Sequence, residues 1–322
     1  MSTLSRRDLL KRTVEAGLAL SVIGSGLYGF RALSATYPNS DLLVTAQWLQ
    51  ERVDETSKVR IVDARGPLKY RFQHIPNSVN LWDADVNTWT QGFPRLVASP
   101  EQLQPLLERA AMDRDMTIVL YDDEQSRWAG RLFWILEYYQ FQNVKLLDGG
   151  LAAWTAVGGR LTNETPSLTP SKLNLRADAK KIVTGDWLLE HLPDPSIQVI
   201  DSRTAQEYAM GYGSGHSHGE HIGHIPGALL VPAEKALELN GYFKKANELR
   251  LLYRNIGPSR TILTYSETGV RAALAYFQLR LLGYSDVRVY DASWAEWGSD
   301  EKFPVATGGV VANGDRHTST CW

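Results

Sequence analysis

Ile197-Gln198-Val199-Ile200-Asp201-Ser202-Arg203, followed twenty-odd residues on by His224-Ile225-Pro226-Gly227-Ala228, has a forerunner in the same chain: Val59-Arg60-Ile61-Val62-Asp63-Ala64-Arg65 and then His74-Ile75-Pro76-Asn77-Ser78. The Asp-x-Arg motifs stand 138 positions apart (63 to 201) and the His-Ile-Pro motifs 150 (74 to 224). Further along, Thr117-Ile118-Val119-Leu120-Tyr121 returns as Thr261-Ile262-Leu263-Thr264-Tyr265 at an offset of 144, and the run from Asp148 to Trp154 returns from Asp291 to Trp297 at 143. Four ordered matches at nearly one offset make an internal repeat. The step of 12 between the first two offsets places an insertion in the second copy around residues 211–221.

Each copy alternates short apolar segments with amphipathic ones. In the first, residues 60–62, 118–121 and 144–147 read as strands, while 99–111 and 128–139 have helical spacing, with Ser99-Pro100 as N-cap and first helical residue. Strands that alternate with helices need crossover connections, so the spacing predicts an α/β protein of two tandem domains, each a mainly parallel sheet flanked by helices. Residues 36–161 are the expected first domain, 162–180 a polar, proline-containing linker, 181–308 the second domain and 309–322 a tail.

A length of 322 residues with 43% hydrophobic and 22% charged composition suits two globular domains and excludes a disordered or fibrous chain. The net charge of −2 supplies no basic field, so nucleic acid is not expected as a partner. Cys321 is the one cysteine, which excludes an intrachain disulfide and any zinc site built on two or more thiolates. At the other end, Ser5-Arg6-Arg7-Asp8-Leu9-Leu10-Lys11 precedes an uncharged apolar run over 16–30 and then Arg31-Ala32-Leu33-Ser34-Ala35. That run is short of the roughly 20 residues a membrane span needs. The order resembles a twin-arginine export signal occupying 1–35, with cleavage after Ala35 and a periplasmic destination; the alternative is an uncleaved membrane anchor.

The repeated motifs together resemble the rhodanese superfamily in its tandem form, the thiosulfate and 3-mercaptopyruvate sulfurtransferases, over about 41–308. That resemblance implies a structural first copy, no cofactor, and an active-site loop in the second copy directly after the strand that ends at Tyr265. It also implies a small sulfur oxyanion or mercapto acid as substrate, a thiol acceptor protein as possible partner, and a loop cysteine that carries sulfur as a persulfide.

The loop in this chain is Ser266-Glu267-Thr268-Gly269-Val270-Arg271. A strand running through a glycine-containing loop into a helix from about 272 to 282 aims backbone N–H groups at one point, a cradle for an anion. Arg271 is expected to add a fixed positive charge at its rim. Ser266 stands where the family has cysteine, and a hydroxyl does not accept sulfur to form a persulfide. Three readings stay open: a copy that binds anions without catalysis, chemistry moved to Cys321 on the tail with a thiol activated near Arg271, or an engineered or serine-based site. Asp122 occupies the matching place in the first copy, where an acidic group is expected to repel anions.

The insertion brings His216, His218, His221 and His224 within nine residues. On a glycine-rich backbone the first three, with Glu220, form a candidate Zn²⁺ or Cu²⁺ site; the competing reading is a solvated loop beside the cleft. His224 belongs to the His-Ile-Pro turn, mirrored by His74. Asp201 and Arg203 are expected to form a buried pair that supports the loop, with direct substrate contact as the alternative. Trp154, Trp294 and Trp297 are expected in the core, and Glu267 is not expected to act as a base on its neighbour Ser266.

Overall fold

The structure, a computed structural model, describes residues 37–90, 93–210, 221–257 and 260–308. The first half contributes β1 (Leu43–Val44), β2 (Val59–Asp63), β3 (Ser78–Asn80), a hairpin β4 (Asn87–Thr90) and β5 (Phe93–Val97), β6 (Thr117–Tyr121) and β7 (Val144–Leu147). Its helices are α1 (Ala46–Gln50), α2 (Pro67–Phe72), α3 (Asp83–Val86), α4 (Pro100–Arg109), α5 (Arg127–Tyr138) and α6 (Gly150–Ala156). The second half has β8 (Ile182–Val183), β9 (Ile197–Asp201), β10 (Leu229–Leu230), β11 (Thr261–Tyr265) and β12 (Val287–Tyr290). Its helices are α7 (Gly185–His191), α8 (Ala205–Met210), α9 (Ala246–Leu252), α10 (Val270–Leu281) and α11 (Ser293–Trp297).

Two five-stranded sheets result, ordered β1-β7-β6-β2-β3 and β8-β12-β11-β9-β10, with every neighbouring pair parallel. The same order in both halves confirms the α/β reading. Central strands β2, β6, β9 and β11 are near-continuous apolar runs because helices cover both faces. The predicted helix over 99–111 is α4, where Pro100 opens the helix and the Gln102 side chain accepts from the Ser99 N–H at 3.1 Å.

One core lies in each half, around Ile61, Val119, Tyr121 and Trp154 in the first and Val199, Leu263, Tyr265, Trp294 and Trp297 in the second. The three tryptophans singled out by the repeat are thus packing residues. The polar stretch expected as a linker has no regular structure over most of its length, yet it is strapped to α4: Ser171 N–H donates to the Glu108 carbonyl, and Leu173 and Leu175 N–H donate to the Glu108 and Gln104 side chains.

The halves meet along α5 and α10, at positions that correspond under the 144 offset. Phe133 and Phe277 stack edge to face with centroids 4.8 Å apart. A Cβ on Gly130 would lie 3.1 Å from Leu274 Cα, so glycine sets how closely the helices approach. At the flanks, Asp148 accepts from Phe243 N–H at 2.9 Å, and Asp291 accepts from Val97 N–H at 2.8 Å. Among the described residues no helix is long and apolar enough to cross a membrane. The expected signal (1–35), the tail with Cys321, and His216 and His218 lie outside the described residues.

Candidate active site

β11 and the loop that follows it reach the carboxyl edge of the second sheet, the place where open α/β sheets keep their ligands. Beneath the loop, Asp201 is fully buried and takes three partners: Arg203 through its Nε and Nη2, the Arg203 backbone N–H at 2.9 Å, and the Tyr265 hydroxyl. Arg203 also donates to the Gly223 carbonyl at 2.9 Å and lies 4.3 Å over the Trp294 ring. Burial pulls the Arg203 pKa down, but the Asp201 carboxylate beside it carries it above its ordinary value. Asp201 and Arg203 thus form a buried ion pair, and the first half repeats it as Asp63, Arg65 and Tyr121.

Above that pair stands Ser266, 1% exposed. Its N–H donates to Ser293 Oγ at 3.1 Å and its carbonyl accepts from Trp294 N–H at 3.0 Å, while Oγ has no hydrogen-bond partner, Glu267 included. The Glu267 carbonyl is held by Ala295 N–H, Thr268 is buried, and Gly269 takes a left-handed φ of +77° before α10 begins at Val270. Only glycine fits there: a Cβ would fall 2.5 Å from the Asp291 carbonyl oxygen and 3.2 Å from Arg131 Nη1. The N–H groups of Val270, Arg271 and Ala272 form the first turn of α10, which has no intrahelical acceptors, and the helix dipole favours negative charge beside them. Such a helix start favours negative charge, and the Ser266 hydroxyl in the loop before it has no hydrogen-bond partner.

Arg271 departs from expectation. Its Nη1 and Nη2 donate to the two Glu207 oxygens at 2.7 and 2.5 Å, so the guanidinium ties the loop to α8 and its charge is matched by a carboxylate. The partner comes from a distant stretch of sequence, which is why the motif alone does not show it. Burial alone would raise the Glu207 pKa, yet the Arg271 contact and Thr204 hold it down at about 2. Motif reading also passes over Arg131 and Asp291, which meet across the two halves beside Gly269. Asp291 opens a repeated motif, Asp148 to Trp154 and Asp291 to Trp297, and that repetition is the signal that could have found it.

In the first half, Asp122 does not stand as a repelling charge. Its Oδ1 accepts from Glu124 and Ser126 N–H (2.9 and 3.0 Å) and its Oδ2 from Trp128 and Ala129 N–H (both 2.9 Å). The carboxylate has turned inward and sits in its own loop.

Of the candidate metal ligands, only His221 is described. Its N–H donates to the Gly298 carbonyl at 3.0 Å, and no group of three His, Cys, Asp or Glu side chains able to hold a metal occurs among the described residues. His224 stacks on Tyr208 at 3.6 Å, as His74 does on Tyr70 at 3.8 Å, and burial lowers its pKa. The imidazole belongs to the turn.

Residues 45–157 and 184–300 both match the model of the rhodanese-like domain. This chain belongs to the rhodanese family. The sulfur carrier protein TtuD of Thermus thermophilus is 33% identical to it over 285 residues, covering 84% of this chain and 99% of that protein. A thiosulfate sulfurtransferase of Corynebacterium glutamicum is 30% identical over 286 residues, covering 86% and 94%. Among solved structures, the 3-mercaptopyruvate sulfurtransferase-type SseA of Escherichia coli superposes with a TM-score of 0.71 at 26% identity, over 79% of this chain and 98% of that one. The two rhodanese-like domains are thus the two halves read from the repeat, and the chain is a sulfurtransferase-family protein.

Proposed function

We propose that this rhodanese-family protein is exported, through its twin-arginine-like segment, and binds a sulfur-containing anion at the Ser266 loop without forming a persulfide there. The observation that carries this reading is the buried, unpartnered Ser266 Oγ in the loop that leads into α10. A serine in that cradle accepts a hydrogen bond or donates one to a bound oxyanion, but forms no sulfur–sulfur bond. The ligand class is a small sulfur oxyanion or a mercapto acid, with a protein thiol as the possible acceptor, in keeping with relatives described as sulfur carrier and thiosulfate sulfurtransferase.

Calorimetric titration of thiosulfate into the mature chain, followed by intact mass, tests the proposal. Binding with no added sulfur supports it. A gain of one sulfur that disappears in Cys321→Ala transfers the chemistry to the tail thiol instead. In Ser266→Cys, thiocyanate formation from thiosulfate and cyanide is the expected result; a variant that neither binds nor reacts shows that the pocket does not take the anion.

A further inference from the structure

The loop from Asp122 to Ala129 turns four backbone N–H groups onto one carboxyl group. Asp122 is 2% exposed, and its two oxygens accept two backbone N–H groups each, from Glu124, Ser126, Trp128 and Ala129. Burial pushes the Asp122 pKa up, and the four amide N–H groups, which engage both lone pairs of each oxygen, work against that by favouring the ionised form. To bring those amides inward, Gln125 and Ser126 both take left-handed φ values, 56° and 58°. Two consecutive non-glycine residues in that region are strained, and the strain persists because the carboxylate collects the amides they turn. The second copy lacks such a tenant: Ser266 stands in the place of Asp122, its Oγ has no partner, and Ala273 N–H, counterpart of Ala129, goes to the Gly269 carbonyl at 3.0 Å.

We propose that the first domain contains an anion-binding site whose ligand is tethered, the Asp122 carboxylate, and that a free monocarboxylate takes its place when that side chain is removed. The filled cradle fixes the N-terminus of α5. One turn further on, the same helix carries Arg131 to Asp291 and to the edge of the second loop at Gly269. The tethered anion therefore anchors the helix through which the first domain braces the second. This does not depend on what the Ser266 loop binds.

The test is chemical rescue. Asp122→Ala should unfold at a temperature lower by roughly 5 °C or more, and added formate or acetate should recover part of that loss while leaving the unaltered chain unchanged. Asp122→Asn, which keeps the bulk but turns an NH₂ group toward amide donors, should be lowered and not rescued. An Asp122→Ala midpoint equal to that of the unaltered chain overturns the proposal, as does formate raising both midpoints equally. Should Asp122→Ala fail to fold, hydrogen exchange decides: the amides of Glu124, Ser126, Trp128 and Ala129 should be protected in the unaltered chain and exchange faster in Asp122→Asn. Equal rates in the two overturn it.

Discussion

Arg131, in α5 of the first domain, and Asp291, just after β12 of the second, form an ion pair at 2.5 Å with side chains 1% and 4% exposed. The remaining guanidinium nitrogens donate to the Asn87 side chain at 3.0 and 2.6 Å, and the second Asp291 oxygen accepts from Val97 N–H. Both charges are thus fully engaged, a condition for a buried pair to persist. Because Gly269 lies against both residues, the candidate loop rests on a contact that neither domain makes alone.

Arg131→Ala leaves Asp291 buried without its counter-charge, and removing one member of such a pair costs about 3–5 kcal/mol. Urea unfolding should show a loss of that size. An Arg131→Ala protein as stable as the parent would mean that the pair is solvated in solution.

Gly269→Ala places a Cβ 2.5 Å from the Asp291 carbonyl oxygen at a φ of +77°. The backbone has to move, and the loop amides move with it. We expect a stability loss of about 1–3 kcal/mol and, in titrations, a weaker response to thiosulfate than in the unaltered chain. Unchanged binding would separate the cradle from the Gly269 turn.

Glu207 gives a pH dependence with a definite sign. Its carboxyl is held at about 2 in the folded chain against an ordinary 4.5. A depressed folded-state value means that the contribution is fully present above about pH 4.5 and is lost as pH falls through about 2, on the order of 3 kcal/mol. Stability of Glu207→Gln measured between pH 7 and pH 2 should therefore fall less steeply than that of the parent. Parallel curves would show that the Arg271 contact is not the source.

Gly130→Ala should cost about 1–3 kcal/mol through overpacking at Leu274, outweighing alanine's better helix propensity. Thermal unfolding checks it; a more stable variant would show that α5 and α10 can separate without loss.

Much of this architecture is legible in the order of the residues. The repeat specifies the two sheets and their matching strand order, and Asp-x-Arg after a strand specifies the buried pair under the loop. What stays hidden depends on residues brought together from far apart. Arg271 reads as a free cation because Glu207 is 64 positions away on α8. Asp122 reads as a repelling charge because the inward turn of its loop rests on left-handed backbone at Gln125 and Ser126, which no residue type there announces. Arg131 and Asp291 each look ordinary within their own copy; only the packing of one copy on the other makes them partners.

The reciprocal flanking contacts, Asp148 to Phe243 N–H and Asp291 to Val97 N–H, give the boundary between the halves the logic of an isologous homodimer interface, in which each side offers the other the same chemistry. On that view the molecule is a fused dimer, and the connecting segment serves chiefly to raise the effective concentration of one half for the other. The fusion also frees the halves from being identical: one closes its loop on the Asp122 carboxyl while the other has Ser266 in that place, an asymmetry that a true homodimer, bound to one sequence, has no means to encode.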